Sequence, residues 1–236
     1  MRNVGSTGQI FTLQIRLKLK TASGFKPAVV NSEFANVPRH AMDLYKKALE
    51  LAQGGNNKGA IEQLQQAVSE YSDFMLAFNE LGVQYLRLGE LEKANESLRS
   101  ALKIAPDAFE PLLNHGIVLV RLNQFKEAEP ELRKALKQRE QSAIGHYYLG
   151  RTLAHLERYD EAEKELNSAI TLGGDEMKQA HRYLGAIYSI RGDRPHAIAE
   201  FETYLRLAPT AKDAELIRRT IQQLRVSNPA SPPRQP

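Results

Sequence analysis

Residues 75–108 read MLAFNELGVQYLRLGELEKANESLRSALKIAPDA, and the segments on either side are imperfect copies of this stretch at a fixed spacing. Its Ala94 recurs as Ala60, Ala128, Ala162 and Ala197, at steps of 34, 34, 34 and 35 residues. Seven places after each of these alanines stand Ala67, Ala101, Ala135, Ala169 and then Tyr204; twelve places before them stand Ala48, Gly82, Gly116, Gly150 and Gly185. A fixed period of this length is the mark of a stacked repeat protein, in which each unit packs only on its neighbours and the core grows with every copy.

Within this stretch Phe78, Leu81, Gly82 and Tyr85 fall in a first helix, Ala94, Leu98 and Ala101 in a second, and Pro106 at the end. The pattern resembles the tetratricopeptide repeat, and the resemblance covers about residues 41–211. It implies an all-α, right-handed superhelical solenoid of five helix-turn-helix repeats, at about 41–74, 75–108, 109–142, 143–176 and 178–211. A helix at 212–226, with Ile217, Ile221 and Leu224 on one face, is expected to cap the last repeat. The first repeat is the weakest copy, with Lys47 where later units have leucine and Ala48 in place of glycine. Terminal units depart in this way because one of their faces has no neighbour.

Composition narrows the function classes. The chain has no cysteine, which removes disulfides, thiolate metal sites and cysteine nucleophiles together. No apolar run approaches the roughly 18 residues of a membrane span. The net charge of +4 is concentrated at the ends: residues 1–40 carry six basic residues against Glu33, residues 212–236 carry five against Asp213 and Glu215, and the repeats between are net acidic. A solenoid that binds RNA needs its basic stripe on the repeats, so nucleic-acid binding through the basic termini is the weaker alternative.

Residues 1–36 precede the repeats and carry Arg2, Arg16, Lys18, Lys20 and Lys26. From Phe11, apolar residues occupy every second place through Leu13, Ile15, Leu17 and Leu19, the period of a half-buried β-strand. A strand needs a partner edge. The candidates are 28–35, a second copy of the chain in a homo-oligomer, or a larger domain upstream. The apolar residues alternate with charges, so no secretory signal is expected and the compartment is cytoplasmic only by default. The last ten residues, 227–236, form a Pro-rich tail expected to be disordered.

Inside the array, the Gly54-Gly55-Asn56-Asn57-Lys58-Gly59 stretch lacks the ending of a phosphate loop and is expected to be a loose inter-helix turn. Pro130, about a turn into its helix, is expected to kink or loosen it unless it faces solvent. The acidic run 160–165 reads as a solvated helix face. Of six histidines, His146 and His181 hold the same place in adjacent units, with no third ligand at metal-binding spacing. No nucleophile elbow, zinc helix or calcium loop is present. The expectation is a chain without cofactor, metal or catalytic residues.

What remains is a surface. The resemblance implies an inner face lined by first helices, which here supplies Tyr45, Asn79, Val83, Arg87, Leu113, Ile117, Arg121, Tyr147, Arg151, His155 and Arg182 as candidate partner-binding residues. The apolar members have a competing use, packing adjacent first helices together. The clamp by which chaperone-tail-binding relatives hold a terminal carboxylate is not reproduced: its places hold Asn79, Val83, Asn114, Ile144 and Tyr148. The sequence therefore points to a non-enzymatic scaffold for a protein or peptide with apolar anchors and acidic residues, with assembly through the amino-terminal strand as the alternative.

Overall fold

The computed structural model describes residues 36–226, all of whose regular elements are helical. The expected strand and its possible partner at 28–35 lie outside the described residues, as does the Pro-rich tail. The chain divides into two compact units, one ending at Pro106 and the other beginning at Asp107. The first holds α1 (Arg39–Gln53) with α2 (Asn57–Glu70) and α3 (Met75–Leu88) with α4 (Leu91–Ile104). The second pairs α5 (Phe109–Arg121) with α6 (Phe125–Gln138), α7 (Ala143–His155) with α8 (Tyr159–Gly173), and α9 (Lys178–Ile190) with α10 (Arg194–Leu207). It ends in α11 (Ala214–Val226), whose Ile217 and Ile221 close over Phe201 and Tyr204.

Four of the five pairs are built on the same contact. Gly82 faces Leu98, Gly116 faces Leu132, Gly150 faces Leu166 and Gly185 faces Phe201; a Cβ on any of these glycines would lie 2.4 to 2.8 Å from its partner's side chain. That is closer than side chains can approach, so the two helices meet at a distance only glycine permits. The anchor alanines Ala60, Ala94, Ala128, Ala162 and Ala197 are each 0% exposed, which shows why the ladder admits nothing larger.

The turn within each pair follows a second ladder. Gly55, Gly89, Asn123, Glu157 and Gly192 all have φ between 60° and 79°. The following residue's amide donates to a carbonyl five residues back, as in Asn56 to Leu51, Gln124 to Leu119 and Arg158 to Leu153. This is the left-handed helix ending that reuses otherwise unpaired carbonyls. The glycine-rich stretch after α1 is therefore an ordered turn instead of the loose one expected. The Asn56 side chain caps α2 by accepting from the Gly59 amide at 3.0 Å.

Pro130 meets the condition set for it, and the acidic run on α8 gains partners. Helix α6 runs unbroken through Pro130, which is exposed, so its missing amide falls on the solvent side. The acidic run on α8 is cross-linked as well as solvated. Glu161 accepts from Arg158 and Arg133, and Glu163 from Tyr188 and Arg191. Glu129 joins Arg133 at 2.9 Å and Arg158 at 2.7 Å, completing a four-residue network between α6 and α8. Burial alone would raise the Glu129 carboxyl, but the hydrogen bonds from Arg133 and Arg158 outweigh it and hold the group below the usual range.

Gly116→Ala should lower stability by about 1–3 kcal/mol through overpacking against Leu132, whereas Ala186→Leu at an exposed place on α9 should change it little. Urea unfolding compares them, and equal losses would refute the close-contact assignment. Glu157→Gly should raise stability by about 1 kcal/mol, because a left-handed conformation costs a residue with a side chain about that much. An unchanged or lower urea midpoint would mean that the Glu157 side chain contributes more than its backbone costs.

Candidate partner-binding surface

In the first unit the candidate residues lie on α1 and α3. The Tyr45 ring packs on Phe74, centroids 5.2 Å apart. Burial first, and then the Glu80 carboxylate, push the Tyr45 phenol above its ordinary range. Glu80 is only 6% exposed, and burial raises its carboxyl even though Gln84 donates to it at 2.5 Å and the Arg87 charge opposes the shift. Asn79 and Arg87 are half-buried. Val83, at 5% exposure, belongs to the core.

In the second unit Leu113 and Ile117 are each 9% exposed, buried like Val83. Arg121, at the exposed end of α5, and the residues of α7 and α9 have a different setting. Tyr147, Arg151 and His155 are spaced by four along α7 and so share one stripe. The His155 ring stacks on Phe125 of α6 at 4.2 Å with 9° between planes, and meets Tyr183 of α9 edge-on at 6.1 Å. Tyr147 contacts both Tyr148 at 5.0 Å and Tyr183 at 6.2 Å, and the Arg182 guanidinium lies 4.9 Å over the Tyr183 ring.

The electrostatics of this cluster are one-sided. Burial pushes the Tyr147 and Tyr148 phenols up; Arg151 pulls both back, joined by Arg182 at Tyr147 and by Arg121 at Tyr148. His155 is pushed down, first by burial and then by the Arg151 and Arg182 charges. Arg182 has a carboxylate in reach, Asp213 at 3.5 Å, and its Nε donates to Gln179 at 3.2 Å. Arg151 has none among the described residues, and its buried Nε has no hydrogen-bond acceptor.

The structure thus gathers Tyr147, Arg151, His155 and Arg182 and adds Phe125, Tyr148 and Tyr183, which the inner-face assignment did not include. A signal for two of these was present: the sixth place of successive repeats holds Glu80, Asn114, Tyr148 and Tyr183, a column of polar and aromatic residues beside the assigned lining. Phe125 opens a second helix and gave no such sign.

The histidines are tied to acids after all. His146 Nδ1 lies 2.6 Å from Glu165 and its Nε2 lies 2.8 Å from the Glu140 carbonyl, while His181 meets Glu200 at 2.7 Å and His115 meets Glu131 at 3.3 Å. The glutamates come from the second helix of the same pair, too far along the chain for local spacing to reveal them. Among the described residues no group of three His, Cys, Asp or Glu forms that could hold a metal ion, and no helix is long and apolar enough to cross a membrane.

Comparison with known proteins completes the picture. The tetratricopeptide repeat model matches residues 45–109 and 113–176, more than half of the sequence. The chain belongs to the tetratricopeptide repeat family. No curated protein sequence matches it. Among solved tetratricopeptide repeat structures it is similar to PilW, a type IV pilus biogenesis factor, at 24% identity and a TM-score of 0.70, over 79% of this chain and 86% of that one. A MamA fragment from Desulfovibrio magneticus RS-1 aligns at 20% identity and a TM-score of 0.66, over 75% and 99% of the two chains. YrrB, described as having an unusual peptide-binding site, aligns at 21% and 0.64, over 76% and 92%. At these identities the likeness to the three structures is one of fold.

Proposed function

We propose that this tetratricopeptide repeat chain is a non-enzymatic scaffold that binds a protein segment, a peptide or helix with apolar anchors and acidic residues, on first helices α7 and α9. The observation that carries the reading is the stripe Tyr147, Arg151 and His155 beside Arg182 and Tyr183. It joins aromatic area to positive charge that the repeat itself only partly neutralises. Aromatic and arginine side chains dominate binding energy at protein interfaces because they bury large rigid areas and pair strongly with acids. That YrrB has a peptide-binding site supports a peptide ligand for this fold, without fixing its position here. Val83, Leu113 and Ile117 act behind the surface, as the packing that holds the helices in place.

The intact chain should select, from a displayed random-peptide library, sequences that combine spaced apolar residues with Asp or Glu. Tyr147→Ala should weaken the selected peptides by about 2 kcal/mol, roughly thirtyfold, with the helical circular dichroism unchanged. If Tyr147→Ala and the double variant Arg151→Glu with Arg182→Glu both retain the wild-type selection and affinity, α7 and α9 are not the binding face.

A further inference from the structure

We propose that the second unit holds a defined carboxylate-binding position: an acidic side chain of the peptide partner is received at Arg151, with Arg182 and the His155 ring beside it. The inference rests on the reading of α7 and α9 as the binding face and adds what that face recognises.

Three features of the site argue for an acid and for this location. The first is charge held in place. The Arg151 guanidinium is set among Tyr147, Tyr148 and His155, and its Nε is removed from solvent without an acceptor. An arginine in such surroundings has lost part of its hydration and has gained no ion pair in exchange, so an incoming carboxylate meets a stronger attraction than a solvated arginine would offer. The second is reinforcement: the Arg182 charge reaches the same residues, acting on Tyr147 and His155, from the next first helix. The third is the surroundings. Phe125 and Tyr183 pack their rings on His155 and Tyr147, the neighbours of Arg151 on α7, and bring no carboxylate.

Arg182 and Arg151 are not equivalent. Asp213 lies 3.5 Å from Arg182 and also accepts from the Tyr204 hydroxyl at 2.6 Å, which fixes it where it offsets part of the Arg182 charge. Arg151 therefore carries the larger share of the recognition. The tetratricopeptide clamp that holds a terminal carboxylate in other members uses different places, which in this chain are Asn79, Val83, Asn114, Ile144 and Tyr148. The position inferred here does not require a chain end and accepts an internal Glu or Asp.

His155 gives the site a signature that a merely structural arginine would lack. The groups that face it are Arg151 on its own helix, Arg182 and Tyr183 on α9, and the uncharged Phe125 ring on α6. In the free chain burial and the two arginines hold its proton affinity below the usual value. A carboxylate bound between the arginines offsets their charge and adds its own attraction, so His155 binds a proton more readily in the complex than in the free chain. By linkage, the affinity for an acidic peptide rises as pH falls through the bound-state value and levels off below the free-state value, and binding takes up protons in that window.

The test uses the full chain and a fluorescein-labelled peptide of Leu-Glu-Glu-Ser repeats, with a twin in which every Glu is Gln. Fluorescence anisotropy should show the Glu peptide binding at least about tenfold more tightly than its twin, the scale of a charge-assisted pair. Arg151→Gln should abolish most of that preference, and Arg182→Gln should reduce it less. Calorimetry of the Glu peptide across pH 5 to 7, in two buffers of different ionisation enthalpy, should show proton uptake that His155→Gln removes. If Arg151→Gln fails to fold, Arg182→Gln and the His155→Gln calorimetry still decide the matter. Failure of the Glu peptide to bind, equal affinity for both peptides, or a Glu preference that survives Arg151→Gln would overturn the proposal. Any of these results would leave the scaffold reading to be judged separately by its own peptide selection and by Tyr147→Ala.

Discussion

The structure depends on how closely two helices can approach. At Gly82, Gly116, Gly150 and Gly185 the first helix of a pair has no side chain, and the Leu or Phe sixteen residues on fills the place where a Cβ would be. This contact fixes the spacing of the pair, and the fully buried alanines of the second helix fix its orientation. The first pair has Ala48 at the equivalent place and Leu64 sixteen residues on, both fully buried. The α7 stripe proposed to bind a partner and the α9 residues that meet it are carried by helices locked in this way.

A second constraint acts through the backbone. Each pair turns on one residue with positive φ, and in two of five turns that residue is not glycine. Asn123 is suited to the conformation, because its short polar side chain tolerates it, whereas Glu157 carries its full cost. Glu157 immediately precedes Arg158, whose side chain joins α6 to α8 through Glu129 and Glu161. The tight turn and the charge network therefore act on the same point of the chain. Exposed ion pairs of this kind contribute little singly, and more when several share partners.

Much of the fold was legible in the sequence because its determinants are periodic. The alanine and glycine ladders gave the repeats, and Ile217 and Ile221 gave the last helix. The turns were less legible: the left-handed places hold Gly, Gly, Asn, Glu and Gly, and a chemically mixed column conceals a conformational rule. Pro130 was legible only conditionally, since its tolerance depends on which side of α6 it faces. The candidate surface was legible by place but not by role. Val83 and Ile117 share a place with Arg151, and Leu113 shares one with Tyr147, yet Val83, Leu113 and Ile117 are buried, and place alone does not tell which first-helix residues line and which pack. The partners of Tyr147 and His155 come from α6 and α9, and the glutamates of His146 and His181 from α8 and α10, at separations local patterns do not encode.

The central claim is that the tyrosine and arginine side chains of α7 and α9 form the surface on which a protein segment binds. Nuclear magnetic resonance of the intact chain, with the tyrosine rings and arginine Nε groups isotopically labelled, tests this directly when a selected acidic peptide is titrated in. The account predicts that the signals of Tyr147, Arg151, Tyr183 and Arg182 move together and saturate with the peptide, while those of Arg133 and Arg158, in the network between α6 and α8, stay fixed. Movement of the Arg133 and Arg158 signals with those of Tyr147 and Arg151 unchanged would contradict it and place the partner on the second helices.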